Sequence, residues 1–145
     1  MRLVPAFLVV ALLCCASISC TIWENPPKGW AGATGGEHLD RMLWQEIARQ
    51  NWGELRKHLA ENISLTTSSG SFGPEQAVEH WRQLGVQEYS LGEFQVKPNG
   101  PDMVVIYMLA RPGSSHPERV MCVWQVVGPR WVLIAHSVLP AQQQP

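Results

Sequence analysis

Neither sign of charge dominates this chain: twelve acidic residues stand against eleven basic ones, scattered along its length. It has no basic stripe to neutralise phosphates and no acidic tail, which sets nucleic acid aside as a partner. Carboxylates are scarce in the second half, where Glu118 is the only one between Met103 and Leu139. The four cysteines, Cys14, Cys15, Cys20 and Cys122, have no metal-ligand spacing. His38 and His58 have no complementary ligand one helical turn on, and His116 sits in a turn, so no metal is expected. "GATGG" lacks the strand that a dinucleotide fingerprint requires, and no nucleophile elbow or Cys–His dyad can be assembled. No cofactor is expected either. The one long apolar run, Leu3–Ala16, falls short of the ~20 residues of a membrane-spanning helix.

That run has another use. Met1 and Arg2 precede it and small residues, Ser17 and Ser19, follow it, which is the layout of a secretory leader over residues 1–19. Cys20, directly after a small residue, is a candidate lipidation site of lipoprotein type, although Ser17 stands where that motif carries Leu. The chain is therefore expected to be exported, as a periplasmic, cell-envelope lipoprotein or secreted protein, touching membrane only through leader or lipid anchor. Residues 20–33 mix Pro, Gly and two tryptophans without periodicity and read as a tether. Residues 34–140 form one domain and 141–145 a tail. Cys20 and Cys122 could pair, but Cys122 reads better as a small core hydrophobe.

Within the domain, Thr34 and Glu37 have capping-box spacing. Leu39, Met42, Leu43 and Ile47 then share one helix face, with Asp40, Arg41, Gln45 and Arg49 on the other. Asn51 with Glu54 repeats the capping signal ahead of a short helix carrying Trp52, Leu55 and Leu59. "NISLTTSS" alternates like a strand, and its Asn62-Ile63-Ser64 is formally a glycosylation sequon. "GSFG" turns the chain into a third helix from Pro74 to about Leu84, with Ala77, Val78, Trp81 and Leu84 on one face and Gly85 as its stop.

From Val86 the period changes to two. Four runs, "VQEYSLGEFQVKP", "MVVIYMLARP", "ERVMCVWQVV" and "RWVLIAHSVL", are separated by turn-forming residues and predict an antiparallel meander. In the last three runs both alternate sets are apolar, for example Val104, Ile106 and Met108 against Val105, Tyr107 and Leu109. Two apolar faces need two covers. The helices supply one, and a second copy of the chain is expected to supply the other, giving a homodimer through the sheet.

The order helix–helix–strand–helix–meander is similar to the NTF2-like, SnoaL-like superfamily, and to its DUF4440 family in particular. The resemblance is carried by "LDRMLWQEIARQNWGEL", "GPEQAVEHW", Val123-Trp124-Gln125, the Gly128-Pro129-Arg130-Trp131 turn and the closing His136-Ser137. It implies an α+β fold, a cone of three N-terminal helices packed on a strongly curved, mainly antiparallel sheet, with a cavity between the two layers and dimers through the sheet. The superfamily includes isomerases, dehydratases and polyketide cyclases as well as binding and assembly modules, so it fixes no activity.

Enzymes of this kind, as the resemblance implies, use carboxylates, His or Tyr projecting into the cone. Here the candidates are His136, on the same strand face as Val132 and Ile134, with Tyr107 or Tyr89 placed mid-strand. Two roles stay open for His136: handling a ligand's proton or carbonyl, or closing the core through a neighbour. The second is preferred, because no partner carboxylate can be named. Of the seven tryptophans, Trp44, Trp52, Trp81, Trp124 and Trp131 are most simply core filling; His80, beside Trp81, could stand at the cavity rim but falls one residue off its helix's apolar stripe and reads better as surface. The expected ligand pocket is Trp44, Tyr89, Tyr107, Trp124 and His136, taking a small apolar or aromatic molecule. The alternative is an acid–base enzyme, isomerase, dehydratase or cyclase, built on His136 with one of the tyrosines.

Overall fold

A computed structural model describes Trp30 and residues 35–140. The leader 1–19, the lipidation candidate Cys20, the capping residue Thr34 and the tail 141–145 lie outside the described residues. The elements run α1 (Gly36–Ala48), α2 (Trp52–Lys57), β1 (Leu59–Thr67), β2 (Gly70–Phe72), α3 (Pro74–Leu84), β3 (Ser90–Asn99), β4 (Asp102–Ala110), β5 (Glu118–Val127) and β6 (Arg130–Pro140).

One six-stranded sheet has the order β2-β1-β6-β5-β4-β3. Its pairings are antiparallel except β1 with β6, which run parallel. Register shifts interrupt β3 between Gly92 and Gln95, the β5–β6 ladder at Val123/Trp124, and β1 between Leu59 and Ser64. Each unpaired residue bends its strand and adds twist, so three such shifts wrap the sheet around the helices. Glu93, at the β3 shift, takes a left-handed φ of 56°. This is the expected α+β architecture of helices on a curved, mainly antiparallel sheet.

Local signals held unevenly. Pro74 opens α3, and Gly85 closes it in the left-handed conformation with φ 59°, as only a residue without a side chain does freely. The expected Asn51 cap is absent: Asn51 makes no side-chain cap, and Glu54 instead accepts from Lys57 and approaches His58. "GSFG" is more than a turn, since Gly70–Phe72 pairs back on β1 as a short strand. Tyr89 precedes β3 rather than lying mid-strand.

Two further differences bear on the site. Asp40, assigned by polarity to the wet face of α1, is fully buried. The buried positions of α1 are 36, 39, 40, 43, 44 and 47, and Asp40 lies within that stripe by angle, between Ile47 and Trp44. Trp30, inside the segment set aside as a tether, is 3% exposed and packed into the core.

The core lies between α1, α3 and the inner sheet face. Trp44, Trp81, Trp124 and Tyr107 are its largest fully buried side chains, with Leu43, Leu65, Leu109 and Leu133 filling between them. Gly36 lets α1 close on the sheet, because a Cβ there would collide with Val105 and Met103.

Candidate functional site

Four of the five expected pocket residues meet inside the cone. The Trp44 Nε1–H donates to Tyr107 Oη at 2.6 Å, and Tyr107 O–H donates in turn to Asp40 Oδ1 at 3.3 Å. Trp124 Nε1–H donates to Asp40 Oδ2 at 3.2 Å. Cys122 Sγ lies 3.1 Å from His136 Nδ1 and 3.8 Å from Tyr107 Oη. Strand register explains the grouping, because Val105 pairs with Cys122, Cys122 with His136, and Tyr107 with Val120 on the inner face. Tyr89, the fifth, is only half-buried and stands at the edge, 5.9 Å from the Trp44 ring.

The charged forms in this cluster are disfavoured. Burial pushes the Asp40 carboxyl from 3.8 up to about 7, against hydrogen bonds from Cys122, Trp124 and Tyr107 that pull it down. Burial holds His136 down at about 3, with His80 adding a little, so the imidazole is neutral. It likewise drives the Cys122 and Tyr107 groups well above their ordinary values. Cys122 is a free, buried thiol. His136 Nε2 has no partner among the described residues, and the ring meets Trp81 edge to face at 5.4 Å. His136 is thus packed inside the core, with Cys122 at its Nδ1 and Trp81 against its ring.

A cavity of about 120 Å³ opens beside this cluster, where α3, the β1–β2 turn and the ends of β4, β5 and β6 meet. Trp44, Trp81 and Leu109 form its apolar floor, and His80, Arg111 and Glu118 stand at its polar rim. His80 stands at the rim, the less favoured of its two expected places, stacked on Phe72 at 5.3 Å. Burial, then Arg111, holds its pKa below the ordinary histidine range. Arg111 donates to Glu118 through Nε at 3.0 Å and Nη2 at 3.3 Å, a bidentate pair about one-fifth exposed on each side. Of the expected pocket residues, Trp44 alone lines this cavity; Tyr107, Trp124 and His136 lie behind it.

Sequence reading missed Asp40, Cys122, Arg111 and Glu118 as site residues, and its exclusion of a Cys–His pair fails at Cys122 and His136, which strand pairing sets 3.1 Å apart. The signal for Arg111 and Glu118 was present: they flank the turn between two pairing strands, where antiparallel register brings them together. No group of three potential metal ligands occurs among the described residues.

No protein-family model matches the chain, and no curated protein matches it. Solved structures do. An NTF2-like protein from Cytophaga hutchinsonii superposes with a TM-score of 0.64 at 15% identity, over 70% of this chain and 92% of that one. An NTF2-like protein from Rhodospirillum rubrum, described as of unknown function in nutrient uptake, gives 0.61 at 18% identity over 73% and 98%. A protein of unknown function of the DUF3225 family from Pectobacterium atrosepticum gives 0.62 at 13% over 73% and 88%. At these identities the likeness concerns the fold, which is NTF2-like.

Proposed function

We propose that this chain is an exported, non-enzymatic NTF2-like module of the SnoaL-like, DUF4440 kind that binds one small, neutral aromatic molecule in the cavity against Trp44 and Trp81 and works as a homodimer. The observation that carries this reading is the division of labour between cavity and cluster. The cavity has an aromatic floor, while the titratable groups that the sequence offered for an acid–base mechanism, His136 and Tyr107, are fully buried and do not line it; of those at its rim, Glu118 is paired with Arg111 and His80 is stacked on Phe72. A general acid or base must come within hydrogen-bond reach of the atom it serves.

Ligand class follows from size and rim. A dry cavity of ~150 Å³ holds a benzene ring, so about 120 Å³ suits a single ring. Arg111 and Glu118 neutralise each other, and His80 is held neutral, so the rim favours a hydroxyl or amide over a full charge. The test is thermal shift with phenol and benzamide against benzoate, on wild type and on Leu84→Trp, which fills the cavity from its half-buried edge. Phenol or benzamide should raise the wild-type Tm and leave the variant unmoved. Equal shifts in both proteins would refute the site.

The dimer rests on the outer sheet face, where Val104 pairs with Val123 and Ile106 with Met121. Met121 is 40% exposed at its centre. Export and the Cys20 anchor rest on the leader-like residues 1–19 and are read by mass spectrometry of the mature N-terminus.

A further inference from the structure

Two hollows share a wall where α3 ends. Leu84 and Arg111 line the aromatic cavity on one side and, on the other, an open groove of about 290 Å³ whose further lining includes Gln87, Glu88 and Pro112. The chain makes this groove by stopping two elements close together. Gly85 ends α3 in the left-handed conformation, so an irregular segment follows Leu84 as far as β3, while Arg111 and Pro112 open the turn that follows β4.

The shared wall is only half used. Glu118 takes the edge of the Arg111 guanidinium formed by Nε and Nη2, at 3.0 and 3.3 Å. A guanidinium has a second edge of N–H donors, ending in Nη1, which has no partner among the described residues. With the first edge tied down, the second is held in direction, and an acceptor that meets it has little left to order. Charge along the groove is uneven as well. Arg111 is answered by Glu118, whereas Glu88 is exposed and has no ion pair or hydrogen bond among the described residues. The groove lining therefore carries one unanswered charge, and it is negative.

We propose that the cavity and the groove hold one ligand between them, an aromatic amide with a short cationic tail. Its ring lies against Trp44 and Trp81, its amide carbonyl accepts from the free edge of Arg111, and its ammonium sits in the groove at Glu88. The inference rests on the single-ring reading of the cavity and adds to it a carbonyl and a cation. An exposed carboxylate–ammonium pair strengthens binding by about two- to fivefold and weakens as salt screens it.

The experiment measures Kd by calorimetry at neutral pH on the full chain, with benzamide, N-(2-aminoethyl)benzamide and its uncharged counterpart N-(2-hydroxyethyl)benzamide. In wild type the aminoethyl compound should bind about two- to fivefold more tightly than the hydroxyethyl compound, and the difference should fade in high salt. In Glu88→Gln, a surface change that leaves the fold alone, the two should bind equally. Arg111→Lys keeps a charge for Glu118 but has no second edge, so benzamide and the aminoethyl compound should weaken together, several-fold. Equal binding of the two tails in wild type, or a preference that survives Glu88→Gln, overturns the proposal while benzamide binding leaves the cavity reading standing. Unchanged benzamide affinity in Arg111→Lys overturns the carbonyl contact. Failure of all three compounds to bind wild type overturns the proposal and the cavity reading together.

Discussion

Replacing Asp40 by Asn should change how stability depends on pH more than it changes stability itself. In the folded chain the Asp40 carboxyl titrates near 7 because burial penalises its charged form, against 3.8 when exposed. A folded-state pKa raised in this way favours the fold fully below the unfolded value. The advantage is lost as pH rises towards the folded value. Three pK units at ~1.4 kcal/mol each make the loss about 4 kcal/mol between pH 4 and pH 8. His136 acts with the opposite sign: its folded value is about 3 against an ordinary 6.5, so its contribution is present above 6.5 and lost as pH falls to 3. Between pH 4 and 6.5 the fold keeps a proton on Asp40 that the unfolded chain keeps on His136, and the two slopes cancel in wild type.

An asparagine in this place cannot titrate, so the variant loses the falling arm and keeps the rising one. Its side-chain carbonyl can accept from Trp124. Its amide can donate to Tyr107 Oη, whose hydroxyl turns towards Cys122 Sγ, 3.8 Å away. The second amide hydrogen remains unpaired at a cost of about 1–3 kcal/mol, the same at every pH. Urea midpoints for both proteins from pH 4 to 8 separate the two effects. The stability of the variant minus that of wild type should rise by about 4 kcal/mol over this range whatever its starting value. His58 and His80, also held low by burial, steepen the rising arm in both proteins and drop out of the difference. A difference that stays flat from pH 4 to 8 would show that Asp40 ionises in the fold as it does in water, and the account of a buried neutral carboxyl would fail.

Two further outcomes follow from packing. Gly36→Ala pushes a methyl group into Val105 and Met103 and should lower stability by ~1–3 kcal/mol in urea melts, despite alanine's better helix propensity; a stabilised variant would refute the close approach of α1. Met121→Glu puts a charge at the middle of the outer apolar face and should convert a dimer into a monomer in sedimentation, with the Tm of the monomer unchanged; a wild type that sediments as a monomer at micromolar concentration would remove the dimer.

The fold was largely legible because its signals are local and periodic. The α3 boundaries came from Pro74 and Gly85, and the meander from alternation between turn residues, each decided within a few positions of chain. The parallel β1–β6 pairing and the three register shifts were not legible, since they are settled by which distant strands share the inner face. The site divided in the same way. Trp44, Tyr107, Trp124 and His136 were named from their apolar strand and helix positions and do come together. Asp40 was lost because polarity was allowed to outvote helical angle: one turn from Gly36 and from Trp44, it had to point inward. Trp30 was lost because an aperiodic, Pro-rich neighbourhood carries no sign of a single anchoring ring.

Trp44 joins the buried cluster to the cavity, and that connection gives a reason for a buried acid in the core. Its ring is part of the cavity floor, while its N–H is committed at 2.6 Å to Tyr107, whose O–H is committed to Asp40. Turning the indole would leave buried donors and an acceptor unpaired together, so the chain Trp44→Tyr107→Asp40 resists rotation as a unit. A floor held from behind keeps its shape when the cavity is empty, and a ligand that finds the surface already formed spends less of its binding energy on ordering it. The carboxyl that weakens the fold towards neutral pH is thus the fixed end of the chain that orients the binding surface.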